Sequence, residues 1–265
     1  MRKFLLVLLF FGGSCLFAQE RIVSLANSLT NSIYLLNAGD RLVGCTDYCT
    51  KGVAAGVEIV GNAINVNVEK ILSLRPDIVV AAGLTPPHTL KAIEKFGIKT
   101  LCWKEAADFE ELCLQFADLA RHIGCSARAD SIIACQKKRL EILRSGIAGN
   151  KDRKLCIQLG ADPIFLALPG TFSGDYIVKS GCRNIAGDLK TGMTSREYVI
   201  IRKPDVIVIS SMGIISANEK KEWMKYDIIP AVKSGKILEV DADRLCAPTP
   251  DVFVDVVEEI LKIME

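Results

Sequence analysis

Histidine is nearly absent from this chain. His88 and His122 are the only two in 265 residues, too few for a bare zinc or manganese site, where imidazoles and carboxylates converge on the ion. They are also the only imidazoles available to activate a serine or cysteine nucleophile; Cys49 with His88 is a conceivable pair. Recognisable catalytic motifs are missing as well. GTFSG at 170–174 has the wrong spacing for a nucleophile elbow, and there is no Gly-Lys-Ser/Thr phosphate loop, Gly-x-Gly-x-x-Gly or His-Glu-x-x-His. The expectation is a protein that is not an enzyme. Charge of one sign is lacking too: 33 basic residues face 31 acidic ones, without the basic excess that a nucleic-acid partner calls for. No apolar run reaches the roughly 20 residues of a membrane-spanning helix.

The longest apolar run is Phe4 to Phe11, eight residues preceded by Arg2 and Lys3 and followed by Gly12, Gly13 and Ser14. That order of positive, apolar and small segments reads as an export signal over residues 1–18, cut after Ala18. A second reading makes Cys15 the lipid anchor of a membrane-tethered product, although Gly12 stands where such signals carry Leu. Either way the body is exported, to the periplasm or to the outer side of the cytoplasmic membrane. Without residues 1–18 the balance is 31 basic against 31 acidic, a net charge of zero.

Ten cysteines are present, and the nine beyond Cys15 are an odd number, so at least one has no intrachain partner. Cys102 and Cys156 lie in strand-like runs, Cys113 and Cys135 in helix-like ones, where cysteine acts as a small buried hydrophobe. Cys45 and Cys49 are close enough in sequence for a local bridge, which the sequence leaves open.

Short apolar blocks alternate with amphipathic stretches. Strands are expected at 21–26, 41–46, 77–83, 99–103, 155–160, 205–211 and 236–242, and helices at 28–38, 67–74, 87–96, 173–181, 195–202 and 250–263. This is the pattern of parallel sheets covered on both faces. From Asp108 to about Ile147 strand signals and proline are absent, and Gly124 divides the stretch into two helices. One unit occurs twice: EKILSLRPDIVV at 69–80 and EYVIIRKPDVIV at 197–208. In each, a glutamate stands seven residues before a proline, and an aspartate and an apolar run follow. A repeat 128 residues apart implies two similar lobes: residues 19–123, a linking helix at 124–150, and residues 151–265. A cleft between them would be a binding site, and a stiff linking helix would keep its closure small.

The segments RIVSLANSLT, LLNAGDRLVGCTDYC, NVEKILSLRPDIVVA, TFSGDYIVKSGCRNIA, SREYVIIRKPDVIVI and IPAVKSGKILEVDAD, in that order along nearly all of the chain beyond residue 18, resemble the helical-backbone (class III) periplasmic substrate-binding proteins of ABC importers for cobalamin, haem and ferric siderophores. The resemblance implies an α/β fold of two Rossmann-like lobes joined by a long linking α-helix. It implies no intrinsic cofactor, but a metal chelate (cobalamin or another corrinoid, a ferric siderophore, or haem) captured between the lobes and delivered to a permease dimer. A chelate sensor without a transport role would use the same fold. The resemblance also gives Glu69 and Glu197 a role, pairing with arginines on the two permease subunits. A bland reading stands beside it: both sit in a first helical turn, where the macrodipole favours an anion, and Thr194-x-x-Glu197 is a capping-box pattern.

Ligands in open α/β sheets bind beyond the carboxyl ends of the strands. The candidates there are Asn27, Ser28, Thr46, Asp47, Tyr48, Asn62, Asn65, Gly83, Leu84, His88 and Trp103 in the first half, and Asp162, Phe165, Phe172, Met193, Ser211, Met212, Arg244 and Cys246 in the second. Tyr48 lies in TDYC, which matches the family's cleft-lining segment and suits stacking or metal coordination. His88, Met193 and Met212 are the other conceivable axial ligands for haem. An anionic siderophore would draw on arginines, for which Arg244 and Arg196 are the candidates. The chain departs from the family pattern at Asn27, where proline is common, at Asn31, where glutamate is common, after Cys49, which lacks the Tyr-Pro pair, and at GNAIN (61–65), which lacks an aromatic found in some cobalamin binders.

Overall fold

The computed structural model describes residues 20–265 apart from residues 63, 212 and 213. The signal segment, Cys15 and Met212 thus lie outside the described residues. The first half runs β1 (Ile22–Ser24), α1 (Asn27–Leu35), β2 (Leu42–Cys45), α2 (Thr50–Ala54), β3 (Glu58–Ile59), α3 (Val68–Ser73), β4 (Ile78–Ala82), α4 (Pro87–Glu94) and β5 (Lys99–Trp103). Two helices follow, α5 (Phe109–His122) and α6 (Ser126–Ser145). The second half runs β6 (Lys154–Ala161), β7 (Ile164–Leu166), α7 (Phe172–Lys179), β8 (Arg183–Asn184), β9 (Met193–Thr194), α8 (Arg196–Arg202), β10 (Val206–Ser211), α9 (Ile214–Trp223), α10 (Pro230–Lys233), β11 (Ile237–Asp241), α11 (Ala242–Cys246) and α12 (Pro250–Met264).

The first sheet is parallel throughout, in the order β3-β2-β1-β4-β5. Its apolar runs bury both faces, as period-two alternation requires. Ile22, Ile78 and Val80 face one core, while Val23, Val79 and Ala81 face the other. The second sheet runs β11-β10-β6-β7-β9, with β8 paired to β6. It is mixed: β11, β10 and β6 are parallel, whereas β7 pairs antiparallel with both β6 and β9. The expectation of parallel sheets is corrected here, because the tight turn at Asp162-Pro163 returns the chain directly into the same sheet, and only a crossover connection can keep a strand parallel.

The repeated unit folds alike in both lobes. Each copy is a short helix, a left-handed residue (Arg75, φ 47°; Lys203, φ 52°), a proline and a strand. The left-handed residue ends the helix. Asp77 Oδ2 then accepts the backbone N–H of Arg21 at 2.7 Å, and Asp205 Oδ2 accepts that of Lys154 at 2.7 Å. In return Arg21 Nη2 donates to the Leu74 carbonyl at 2.8 Å, and Lys154 Nζ to the Arg202 carbonyl at 3.0 Å, covering the orphan carbonyls of each helix end. The seven-residue offset is therefore the length of the helix plus its stop, and it puts Glu69 and Glu197 at matching first turns.

Gly124, at φ +71°, separates α5 from α6. Asp108 caps α5 by accepting the Glu111 N–H at 2.8 Å, and Arg121 and His122 lie in its last turn, where cations favour the helix dipole. Phe109, Leu112 and Cys113 of α5 join the core of the second lobe, while Phe116, Leu119 and Ala120 join that of the first. Ile133 of α6 packs against both cores, and Arg139 ties α6 to Asp255 and Glu258 of α12. The long helix α6 thus runs between the two halves of the chain with α5 packed against it.

All nine cysteines among the described residues are free thiols. Cys45 and Cys49 are both fully buried. The interaction of the two neighbouring thiols raises the pKa of Cys45 and lowers that of Cys49.

Candidate functional site

Between the two sheets lies a cavity of about 770 Å³. The first lobe contributes the ends of its strands: Leu25 and Ala26 after β1, Thr46 after β2, Ala82 as the last residue of β4 and Trp103 as the last residue of β5. The second lobe contributes Phe172 and Ser173 at the start of α7, and Asp243, Cys246, Ala247 and Pro248 beyond β11. A smaller hollow of about 310 Å³ shares Glu105, Ala106, Phe172 and Ser173 and runs on to Phe165 of β7.

Of the residues expected from the sequence, Asn27, Ser28, Thr46, Tyr48, Asn62, Asn65, Leu84, Trp103, Phe172 and Cys246 are brought together on this wall. Asn27 and Ser28 open α1. Trp103 is held by its indole N–H, which donates to Asp118 Oδ2 at 2.8 Å. Tyr48 projects from the loop before α2 and is 65% exposed. Asn62 accepts the backbone N–H groups of Ile64 and Asn65 and so folds the 61–66 loop over the cavity. This loop needs Gly61, at φ +121°: a Cβ there would fall 2.3 Å from the Asn65 carbonyl.

Other expected residues lie off the cavity wall. Asp47 is exposed beside Tyr48, its N–H bonded to the Gly61 carbonyl. His88 is exposed in the first turn of α4, which carries it away from the strand end. Gly83 is exposed between the lining residues Ala82 and Leu84, and Ser211 is half-buried at the end of β10. Asp162 sits exposed in the β6–β7 turn, and Met193 lies on β9 opposite Phe165, 58% exposed. The Arg244 guanidinium is taken up by Glu259, with contacts of 2.6 and 3.3 Å. Arg196 pairs with Glu219 at 2.8 Å and stacks on Trp223. Neither arginine of the expected anion site therefore reaches the cavity.

Sequence reasoning missed Ile64, Thr85, Lys104, Glu105, Leu112, Gln115, Ser173 and Asp243. Strand ends were visible as signals, but Leu112, Gln115 and Ser173 come from helices that face the cleft only once the lobes are packed. Charge on the wall is sparse. Lys104 is the only basic residue among the described lining residues, and its ammonium is engaged by Glu111 Oε1 at 3.0 Å. Glu105 and Asp243 are acidic, and the remaining polar residues are neutral amides and hydroxyls. Among the described residues no group of three or more His, Cys, Asp or Glu side chains is placed to hold a metal ion.

Cys246 gives a simple probe of the cavity. It is exposed and lies on the wall, whereas Cys102 and Cys135 are exposed elsewhere and Cys45 and Cys49 are buried. Bound cargo is expected to block maleimide labelling of Cys246 while Cys102 and Cys135 still react. Cys45 and Cys49 should react only on unfolding. Mass mapping of labelled peptides checks this, and equal labelling of Cys246 with and without cargo would place the cargo elsewhere.

Glu69 and Glu197 are both exposed, and neither lines the cavity. Neither caps its helix. Asn67 caps α3, accepting the Lys70 N–H at 2.9 Å. The N-cap of α8 is Ser195 rather than Thr194, with no side-chain cap bond, so the capping box expected at Thr194-x-x-Glu197 does not form. The Ser195 hydroxyl instead bonds the Glu197 carboxylate and lowers its pKa.

Among the described residues no helix is long and apolar enough to cross a membrane. A sequence profile for the periplasmic binding protein family matches residues 22–244. The vitamin B12-binding protein of Vibrio cholerae serotype O1 is 28% identical over 249 residues, covering 92% of this chain and 88% of its own length. That of Yersinia pestis is 27% identical over 219 residues, covering 81% and 78%. Among solved structures, the periplasmic vitamin B12 binding protein BtuF of Vibrio cholerae superposes with a TM-score of 0.76 at 27% identity, covering 92% of this chain and 96% of that one. The apo haem-binding protein RhuT from Roseiflexus sp. RS-1 shares the fold, with a TM-score of 0.79 at 23% identity over 93% of this chain and 100% of that one. The two-lobed architecture, the cleft at the strand ends and the profile match over most of its length agree: this chain belongs to the periplasmic binding protein family.

Proposed function

We propose that this chain captures a corrinoid of the cobalamin class and hands it to the permease of an ABC importer, presenting Glu69 and Glu197 to the two permease subunits. One observation carries the choice of cargo: the cavity wall is apolar with amides and hydroxyls, and has no free cation among its described residues. A ferric siderophore or a haem with ionised propionates would bring negative charge toward Glu105 and Asp243 with nothing to pair it. A corrinoid, whose periphery is mainly neutral carboxamides, is matched by Asn27, Asn62, Asn65, Gln115, Ser28 and Thr85. Curated relatives that bind vitamin B12 support the same reading. The cobalt belongs to the cargo, so the wall does not have to supply a metal-ligand cluster. Energy for transport would come from the importer's ATPase subunits.

Trp103 reports occupancy. Cyanocobalamin is expected to quench its fluorescence saturably at sub-micromolar concentration, leaving the emission of Trp223, which is fully buried behind the second sheet and off the cavity wall. A ferric tris-catecholate should give no saturable change. Saturation by the catecholate and not by cyanocobalamin would overturn the proposal. Haem is the second reading, favoured by Tyr48, an exposed phenol on the cavity wall. Its mark would be a haemin Soret shift that Tyr48→Phe removes.

A further inference from the structure

Trp103 is the last residue of β5, the edge strand of the first sheet. The backbone there fixes the position of Cβ, and the side-chain rotamer decides where the indole lies. The side chain packs against the first-lobe core and lines the cavity. Its N–H is a donor that needs an acceptor when half-buried. Asp118 Oδ2 supplies one at 2.8 Å, and a charged acceptor makes the stronger class of hydrogen bond. The carboxylate is anchored in turn. Its other oxygen pairs with Arg121 Nη2 and lies 3.9 Å from His122 Nε2. His122 Nδ1 contacts Nζ of Lys99, the first residue of β5, at 3.2 Å.

Asp118 belongs to a polar stripe. Glu111, Gln115 and Asp118 stand at i, i+4 and i+7 along α5, on one face of the helix. That face grips the chain leaving β5 at successive points. Asp118 holds the Trp103 indole, and Gln115 Nε2 donates to the Lys104 carbonyl at 3.0 Å. Glu111 accepts from Lys104 Nζ at 3.0 Å and from the Ala107 N–H at 2.9 Å. The first turns of α5 belong to the core of the second lobe and its later turns to that of the first. The wall at 103–106 is thereby fixed to a helix that both lobes share, and not to its own sheet alone. Asp118 itself does not line the cavity, so its influence on a cargo runs through Trp103.

We infer that Asp118 is a positioning residue for cargo capture, setting the Trp103 indole on the cavity wall from helix α5. This rests on the binding-cleft reading above, with a corrinoid as the cargo.

The test uses the full exported chain. In proton–nitrogen correlation spectra of the cargo-free protein, the two tryptophans give two indole N–H signals, assigned with Trp103→Phe. Asp118→Ala is expected to move the Trp103 signal upfield, as befits a donor that has lost a charged acceptor, while an unmoved Trp223 signal shows the fold intact. In calorimetry cyanocobalamin should bind Asp118→Ala about tenfold more weakly than the unaltered chain, the loss of a bond to a charged group. Asp118→Asn should stay within about threefold, because its amide oxygen still accepts. With Trp103→Phe already in place, which keeps a ring but has no N–H, Asp118→Ala should cost no more than about twofold further. An unmoved Trp103 signal in Asp118→Ala, an affinity within about twofold of the unaltered chain, no rescue by Asp118→Asn, or an undiminished loss in the Trp103→Phe background overturns the inference. Failure of the unaltered chain to bind cyanocobalamin overturns the corrinoid reading instead. Haemin then takes its place in calorimetry, and the indole signal tests the hold on Trp103 without any cargo.

Discussion

Charge reversal at both lobe tips, Glu69→Lys with Glu197→Lys, is expected to abolish cellular uptake while the purified protein binds its cargo as the unaltered chain does. The two carboxylates occupy matching turns of a repeated unit, are exposed, and take no part in capping their helices. The neighbouring Lys70 is paired with Glu58, leaving Glu69 outside that ion pair. An exposed ion pair contributes only about 0.2–1 kcal/mol, so removing one carboxylate should slow uptake modestly. On the proposed docking role, reversal would replace attraction with like-charge juxtaposition at both ends of the contact, at a cost of several kcal/mol. Uptake of labelled cyanocobalamin by cells, measured beside the Trp103 titration, separates the steps. A fall in cargo affinity equal to the fall in uptake would remove the docking role.

Glu219→Ala is expected to destabilise the second lobe by about 3–5 kcal/mol, the range for stranding one member of a buried ion pair. Glu219 is 5% exposed, pairs with Arg196 at 2.8 Å and accepts from Gln158 Nε2 at 2.9 Å. Gln158 Oε1 in turn accepts the indole N–H of the fully buried Trp223 at 2.7 Å, and the Arg196 guanidinium lies 4.5 Å over that ring. Loss of the carboxylate leaves a half-buried guanidinium without its counter-charge and takes one of the two acceptors from the buried Gln158 amide, whose Nε2 keeps only the Gly160 carbonyl at 3.0 Å. For a chain of this size the melting temperature should drop by on the order of 10 °C. Because the groups share one network, Arg196→Ala with Glu219→Ala should cost less than the sum of the single changes. Additive losses in calorimetry would mean that the network is not a unit.

Much of the architecture was legible in the chain. Strand blocks such as DIVVAAG and DVIVISS bury both faces, and their unbroken apolar runs say so before any packing is known. The helices α5 and α12 carry apolar residues at helical spacing, and the seven-residue offset repeats because one helix–stop–strand unit was built twice. The short elements α2, α10 and α11 were not legible. Four or five residues carry too little periodicity, and these turns are held by tertiary contacts, as when Ala231 N–H bonds the Pro204 carbonyl. The antiparallel return of β7 was equally hidden, since a single apolar run does not state its direction.

The sequence by itself determined the two-lobed fold, the strand-end loops as the place of the site and the paired glutamates at matching turns, because hydrophobic periodicity and stop signals are local and act within a few residues. Only the tertiary structure decided which loop residues line the cavity. Asp243 reaches the cavity while Arg244 beside it turns to Glu259, and Tyr48 lines the wall while Asp47 stays outside it. Adjacent side chains leave the backbone in different directions, and the partner that captures each one, such as Asn27 for Asp243, comes from the opposite lobe, 216 residues away.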